Sequence, residues 1–224
     1  YAVSGGGISI SNTPAPGPIL EYLIITGNTA TGDDWWGGGG IYVENSEFRG
    51  NRLLVTENIS EETGGGILLK SATAELDQVT VVDNNAINGG GIYARFGSSI
   101  NLHNSILWEN SPQQIAFDSD GDLNHGYIYY TDLDGGEGAI DINLNANLHD
   151  TDNILYTDPL FDELYHLTWE NFPDEELKSP CIDTGDPEGA LDLDGTLADL
   201  GMFIFEYMNP NVPSNMFVDG DGGN

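Results

Sequence analysis

Basic residues are scarce in this chain. Lys and Arg number 5 against 37 Asp and Glu, which gives a formal charge of −32 over 224 residues. A surface this acidic repels polyanions, so nucleic acid and anionic membrane surfaces are excluded as direct partners. The same self-repulsion favours bound cations or high salt. The length is sufficient for one elongated domain with a continuous core.

Cysteine, closely spaced histidine and long apolar runs are lacking as well. Cys181 is the only cysteine, so an intrachain disulfide is excluded, and its apolar neighbours predict a small buried core residue rather than a nucleophile. The four histidines stand far apart, and no His/Cys pair has zinc-ligand spacing, which argues against zinc. No apolar run is long enough for a transmembrane helix, so we expect no membrane insertion. No stretch has helical periodicity over three turns.

What the chain does contain is a repeat. The motif Gly-Gly-Gly-Ile occurs four times, at residues 5–8, 38–41, 64–67 and 89–92. The isoleucines are separated by 33, 26 and 25 residues. A period in this range is typical of a solenoid, in which each repeat buries its apolar face against its neighbours.

A second landmark recurs with the same period. Each repeat carries a short β-branched or aromatic run that ends in asparagine, at Asn28, Asn58, Asn84 and Asn110, with steps of 30, 26 and 26. Short runs of this composition bounded by Gly and Asn indicate strands. Two or three strands in about 25 residues predict a parallel β-helix. The asparagines should then form a ladder along the stack.

The repeats resemble those of bacterial β-helix proteins. Residues 1–115 are similar to the Gly-Gly-Gly-Ile coils of secreted right-handed parallel β-helix proteins, including polymorphic-outer-membrane-protein-like repeats. The C-terminal motifs at residues 130–136, 158–161, 165–167, 179–187 and 192–201 resemble the terminal coils of such proteins. The resemblance covers about nine-tenths of the chain. It implies a right-handed parallel β-helix that is secreted or at the bacterial cell surface, and it implies no particular activity.

Three regions follow from these patterns. Residues 1–117 are expected to form regular coils, and residues 118–207 irregular acidic terminal coils with a C-terminal cap. Residues 208–224 begin with a Pro/Asn-rich linker and look like the start of a truncated segment. Because no N-terminal cap is visible, we expect further coils or another domain upstream. An exposed terminal coil is an unpaired edge, which makes end-to-end association possible.

Aligning the repeats reveals a column of charge. The residues three places after each repeat isoleucine are Glu44, Lys70, Arg95 and, if Ile115 opens the next coil, Asp118. Strand alternation turns the isoleucine inward and this position outward. The column is interpreted either as a salt-bridge ladder or as a patch at which Lys70 and Arg95 contact an acidic sugar.

Acidic loops predict calcium, which prefers oxygen ligands. The predicted ligands are Asp118, Asp120, Asp122 and Asn124 in one loop, and Asp183, Asp186, Asp192, Asp194 and Asp199 in a C-terminal cluster. The first loop is not an EF-hand, because its glycine falls at the fourth position rather than the sixth. The alternative for the C-terminal cluster is Asx-turn chemistry, in which Asp side chains bind local backbone amides.

Two functions remain open. The first is a non-catalytic extracellular module, an adhesin, stalk or carbohydrate-binding β-helix stabilised by Ca²⁺, whose partner is a glycan or a cell-surface protein. Trp35 and Trp36, with Lys70 and Arg95, are its candidate carbohydrate-binding residues. The second is a polysaccharide lyase or glycoside hydrolase acting on an acidic glycan. Its candidate catalytic residues are Lys70, Arg95, Glu44 and Asp118. Fold alone cannot choose between them, and the absence of an enzyme signature favours the first.

Overall fold

β-Strands account for most of the regular secondary structure in this computed structural model, which describes residues 5–32, 37–149, 151, 153–170, 172 and 174–205. The strands are β1 (Ile8–Ser11), β2 (Ile19–Thr26), β3 (Thr29–Ala30), β4 (Ile41–Glu44), β5 (Glu47–Thr56), β6 (Ile59–Ser60), β7 (Ile67–Lys70), β8 (Thr73–Asp77), β9 (Thr80–Val82), β10 (Ile92–Arg95), β11 (Ser99–Trp108), β12 (Ile115–Phe117), β13 (Asn124–Leu133), β14 (Ile140–Asp141), β15 (Ala146–His149) and β16 (Ile154–Leu155). Short 3₁₀ helices span Gly136–Ala139 and Glu175–Leu177. Across the described ranges, none of the helices has the length and apolar character needed to span a membrane.

The strands stack into parallel sheets that wrap around one core. The first sheet has the order β1-β4-β7-β10-β12-β14, and the second the order β15-β13-β11-β8-β5-β2. Strand β9 joins the second sheet between β5 and β11, while β3 and β6 form a third, two-stranded sheet. Strands from successive coils are therefore neighbours in each sheet, which confirms the predicted parallel β-helix.

The repeat isoleucines are register partners. Ile41 pairs with Ile67, Ile67 with Ile92 and Ile92 with Ile115, and all four side chains are fully buried. They belong to one apolar cluster that runs through the coils from Ile10 onward. Because each coil is too thin to bury its own apolar face, this stacking is the main source of hydrophobic stabilisation.

The asparagine ladder is present as predicted. Asn28, Asn58 and Asn84 each donate from Nδ2 to Oδ1 of the next asparagine, at 2.9, 3.0 and 2.9 Å respectively. Each Oδ1 also accepts the backbone N–H of the asparagine one coil back. At the end of the ladder, Asn110 donates instead to Oε1 of Gln114 at 2.6 Å. The buried amides are therefore satisfied between coils, as burial of polar groups requires.

The glycine triplets serve both backbone conformation and close approach of coils. The first glycine of each triplet is left-handed, as Gly64 is with φ +64°. The second lies against the neighbouring coil, where a Cβ on Gly65 would stand 2.5 Å from the carbonyl oxygens of Asn85 and Gly90. Any larger side chain would force the coils apart at this corner.

The C-terminal segment packs along the outside of the solenoid. Met202 lies with Leu54 and Val82 in one outer cluster, and Cys181 lies with Ile106 in another. The backbone N–H of Met202 donates to Oγ1 of Thr80 at 2.9 Å. Part of the region that sequence assigns to terminal coils therefore covers the side of earlier coils. Cys181 is fully buried, and burial raises its pKa, so the prediction of a core residue is confirmed.

Candidate functional site

A groove of about 680 Å³ lies on the outer face of the second sheet. Its floor includes a column of outward-pointing residues, one from each successive coil. The members are Glu21, Asn51, Asp77, His103 and Tyr129, each the register partner of the next. Alternation along a strand sends every second side chain to the same face, which explains how one repeat position forms a continuous row along the groove floor.

The C-terminal segment contributes Asp186 to this groove. Oδ2 of Asp186 lies 3.1 Å from Nε2 of His103, and Oδ1 of Asp77 lies 3.2 Å from Nδ1 of the same ring. The imidazole thus has a carboxylate at each nitrogen. One of these comes from the preceding coil and the other from a segment 83 residues away.

Asn104 positions both carboxylates. Its Nδ2 donates to Oδ1 of Asp77 at 3.2 Å, and its Oδ1 accepts the backbone N–H of Asp186 at 2.9 Å. Asn104 has φ 46°, at the bend where β11 passes from one face of the solenoid to the next. Asparagine tolerates this left-handed conformation better than most residues. The bend therefore supplies the amide that ties the C-terminal segment to the groove.

The two carboxylates favour the protonated imidazole. Hydrogen bonding to Asp77 raises the pKa of His103, and the charges of Asp77 and Asp186 act in the same direction, while partial burial opposes them. With a proton on each nitrogen, the ring donates to both acids. In that protonated state, His103 would be a cation inside an acidic groove.

Aromatic rings and further charges complete the lining. Tyr129 and Tyr130 stand edge-on to His103, with centroid separations of 6.3 and 5.9 Å. The neighbouring column includes Arg49, which is ion-paired with Glu75. The groove carries four carboxylates, Glu21, Glu75, Asp77 and Asp186, against the guanidinium of Arg49 and the titratable ring of His103. Its net charge is negative, and its apolar surface comes from the tyrosine rings and aliphatic side chains.

The predicted charge column lies on the first sheet, away from this groove. Glu44 pairs in register with Lys70, and Lys70 with Arg95, as the repeat alignment predicts. Nζ of Lys70 lies 2.8 Å from Oε1 of Glu44, and Nη2 of Arg95 lies 2.8 Å from Oδ2 of Asp118. The four residues are brought together, but each cation is neutralised by a carboxylate of an adjacent coil.

In the first predicted calcium loop, two side chains are used by the fold. Asp118 pairs with Arg95, and its Oδ1 accepts the backbone N–H of Asp120 at 3.2 Å. Oδ1 of Asn124 accepts the backbone N–H of Ser98 at 2.9 Å. The carboxylates of Asp120 and Asp122 extend into solvent. The calcium prediction for this loop therefore depends mainly on these two exposed side chains.

The C-terminal Asp residues accept backbone N–H groups, locally in Asx turns at Asp186 and Asp194 and over longer sequence distances at Asp192 and Asp199. Oδ1 of Asp199 accepts the N–H of Asp183, and Oδ2 of Asp192 accepts the N–H of Asp199, both at 2.8 Å. Burial raises the pKa of Asp199 to about 7. Oδ1 of Asp194 binds Thr196, whereas its Oδ2 is buried without a hydrogen-bond partner among the described residues. Asp186 lies apart from this network, in the groove.

Other predicted site residues are less informative. Trp35 and Trp36 fall outside the described residues. Within the described ranges, no group of three or more His, Cys, Asp or Glu side chains has an arrangement that could hold a metal ion. Calcium binding stays a prediction.

Comparison with known proteins gives no relative. No family model, no curated protein and no solved structure matches this chain. The sequence analysis did not identify the groove, although the repeat alignment that gives the charge column also places Asp77 next to His103. No sequence signal brings Asp186 to them.

Proposed function

We propose that this chain is a non-catalytic β-helix module of a secreted or cell-surface bacterial protein, and that it binds a glycan in the groove. The observation that carries the proposal is the combination of the Tyr129 and Tyr130 rings with fixed polar groups around His103. Ligand sites are concave and mostly apolar, with a few placed polar groups. Tyrosines add rigid apolar surface with a polar tip, which suits sugar rings.

The charge of the groove favours a neutral or amino-sugar chain over an acidic one. The four carboxylates outnumber the Arg49 guanidinium and the His103 ring, so they would repel uronates, and they offer acceptors to sugar hydroxyls and ammonium groups. Lys70 and Arg95, the residues first considered for acidic sugars, are each paired with a carboxylate. The preferred ligand therefore differs from the acidic glycan considered in the enzyme alternative.

A glycan titration tests this proposal. Neutral and amino-sugar oligosaccharides are titrated calorimetrically into the wild-type chain, Tyr129→Ala and the control Tyr156→Ala, since Tyr156 is 73% exposed and lies outside the groove. Loss of one stacking ring should weaken binding about tenfold, equivalent to about 1.4 kcal/mol. The control should bind like wild type. Equal affinities of the wild type and Tyr129→Ala would overturn the groove assignment.

One observation favours a second candidate, a glycoside hydrolase. Asp77 and Asp186 enter the groove at opposite nitrogens of His103, and hydrolases use two carboxylates that flank the scissile bond. In the structure, both carboxylates contact His103. Neither is therefore placed to donate a proton to a glycosidic oxygen. The non-catalytic proposal is therefore preferred.

An activity screen separates the two candidates. Release of reducing ends is measured on neutral and amino polysaccharides with wild type, Asp77→Asn, Asp186→Asn and the exposed control Asp158→Asn. Activity that disappears in the first two variants and survives in the control would establish a hydrolase and refute the non-catalytic proposal. Formation of unsaturated uronate from acidic glycans, abolished in Lys70→Ala or Arg95→Ala, would instead establish a lyase.

A further inference from the structure

Two imidazoles meet on the outer face of the second sheet, outside the residues that line the groove. His125 lies in β13 and His149 ends β15. His149 is the register partner of Tyr127, two residues beyond His125, so the two histidines are diagonal neighbours on adjacent coils. Nδ1 of His125 lies 3.0 Å from Nε2 of His149. The sequence separation of 24 residues conceals this pair from spacing rules.

The ring of His149 is held in place by its register partner. Tyr127 stacks on it with a centroid separation of 4.5 Å and an interplanar angle of 12°. The ring of His125 also stacks against His149, with a centroid separation of 5.3 Å and an interplanar angle of 24°. Both histidines are partly exposed, so solvent ions reach them. A pair of imidazoles fixed in this way loses little freedom on binding a ligand.

The separation of the two nitrogens fits a shared metal ion. Imidazole binds zinc at about 2.0–2.1 Å, so ligand angles between square and tetrahedral place two nitrogens about 2.9–3.4 Å apart. The observed 3.0 Å lies in this interval. We propose that His125 and His149 form a two-ligand site for a divalent transition metal ion, independent of the glycan groove.

The chemistry selects the class of ion. Imidazole nitrogen suits zinc, nickel and copper, whereas calcium and magnesium prefer oxygen. Because no group of three acidic, histidine or cysteine ligands occurs in the described residues, water completes the coordination sphere. Asn147, the register partner of His125, adds an amide on the same face. The formal charge of −32 raises the local concentration of any cation.

Metal titration tests the site. The untagged chain is titrated calorimetrically with nickel and with zinc, in excess calcium to occupy oxygen-only sites. Wild type should bind one ion per chain, and His125→Ala and His149→Ala should each weaken binding at least tenfold. His166→Ala is the matched control, because His166 is paired with Asp162 at 2.9 Å and lies elsewhere. The control should retain wild-type affinity.

A spectroscopic reading makes the result specific. With copper, electron paramagnetic resonance should show two nitrogen ligands in wild type and one or none in His149→Gln, a variant that keeps a polar side chain of similar length. Circular dichroism confirms that each variant is folded. Wild-type affinity in both histidine variants, or no binding by wild type, would overturn the proposal and leave the pair as a simple N–H···N hydrogen bond.

Discussion

Nε2 of His103 lies 3.1 Å from Oδ2 of Asp186, so the C-terminal segment is bonded directly to a repeat position of the solenoid. Asn104 reinforces this contact, because its Oδ1 accepts a hydrogen bond from the backbone N–H of Asp186. Because the groove includes both residues, its shape depends on how firmly this segment is attached. The protonation state of one imidazole therefore affects both stability and the site.

Replacing His103 should reduce stability more in acid than in base. Since Asp77 and Asp186 raise the pKa of His103, the folded state binds this proton more tightly than the unfolded chain. The stabilisation is complete below about pH 6.5, the ordinary histidine value, and is lost as the pH rises through the raised pKa. Urea unfolding of wild type and His103→Gln at about pH 5.5 and about pH 8.5 measures the difference.

Asp186→Asn provides the companion measurement, because it removes the negative charge of the carboxylate beside Nε2. It should show the same pH trend with smaller amplitude. If the difference in unfolding free energy between wild type and His103→Gln does not change with pH, the interpretation that Asp77 and Asp186 stabilise a protonated His103 is contradicted.

Removing an internal rung of the asparagine ladder should be more costly than removing an end. Asn84 donates to Asn110 and to the carbonyls of Val55 and Val82, and it accepts two bonds from Asn58. Asn84→Ala leaves several of these buried groups unsatisfied, so we expect a loss of about 2–4 kcal/mol in the free energy of unfolding. Chemical denaturation measures it.

The control for the ladder is Asn28→Ala. Asn28 is only partly buried and stands at the first rung, so fewer partners lose a bond. A loss for Asn28→Ala equal to that for Asn84→Ala would show that the ladder does not act through buried amides.

A methyl group at the second glycine of a triplet should disrupt coil stacking. In Gly65→Ala the new Cβ would meet two carbonyl oxygens at 2.5 Å, and backbone atoms cannot move aside as a flexible side chain can. We expect destabilisation of about 3 kcal/mol or more. Gly138→Ala is the matched control, because nothing lies within 4 Å of its Cβ position. Similar melting temperatures for the two variants would refute the close-approach argument.

Neutralising Asp132 should make the protein less sensitive to pH. Burial raises the pKa of Asp132 from 3.8 to about 6. The folded state therefore holds this proton over a range in which the unfolded chain has released it, and its stability falls as the pH rises from about 4 to about 6. Asp132→Asn stays neutral, so relative to wild type it should gain about 1–3 kcal/mol across that range.

The measurement for Asp132 is urea unfolding of wild type and variant at about pH 4.5 and about pH 7.5. Asp122→Asn, an exposed carboxylate, serves as control and should leave the pH profile unchanged. If the unfolding free energies of Asp132→Asn and wild type fall in parallel between the two pH values, the buried carboxyl is not the cause of the pH dependence.

Calcium should raise the melting temperature relative to excess chelator, because an ion that binds only the folded state stabilises it. Two variants locate the effect. A double variant, Asp120→Asn with Asp122→Asn, removes the exposed carboxylates of the first loop, and Asp194→Asn alters the carboxylate whose Oδ2 accepts no bond among the described residues. The variant that abolishes the shift identifies the site. Identical melts with calcium and chelator would end the calcium prediction.

Residues that repeat with the coil were predictable from the sequence. The Gly-Gly-Gly-Ile and asparagine positions give the register, because equivalent positions in a solenoid must stack. The same alignment predicts the neighbours Glu44 and Lys70, whose side chains form an ion pair. Local repetition thus determines both the fold and the contacts between adjacent coils.

Contacts made by the C-terminal segment were not predictable in this way. Asp186 reaches His103 and Met202 reaches Val82 because the segment returns along earlier coils, and no periodicity records where a returning segment lies. The His125–His149 pair has a different origin. It is diagonal rather than in register, so column-by-column alignment separates its two members.

The column of residues in the groove also determines how the length of this surface can change. Each coil adds one side chain to the column Glu21, Asn51, Asp77, His103 and Tyr129. Duplicating or deleting a whole coil would lengthen or shorten this surface by one strand spacing, about 4.8 Å, without altering the cross-section. The number of coils therefore sets the length of this surface.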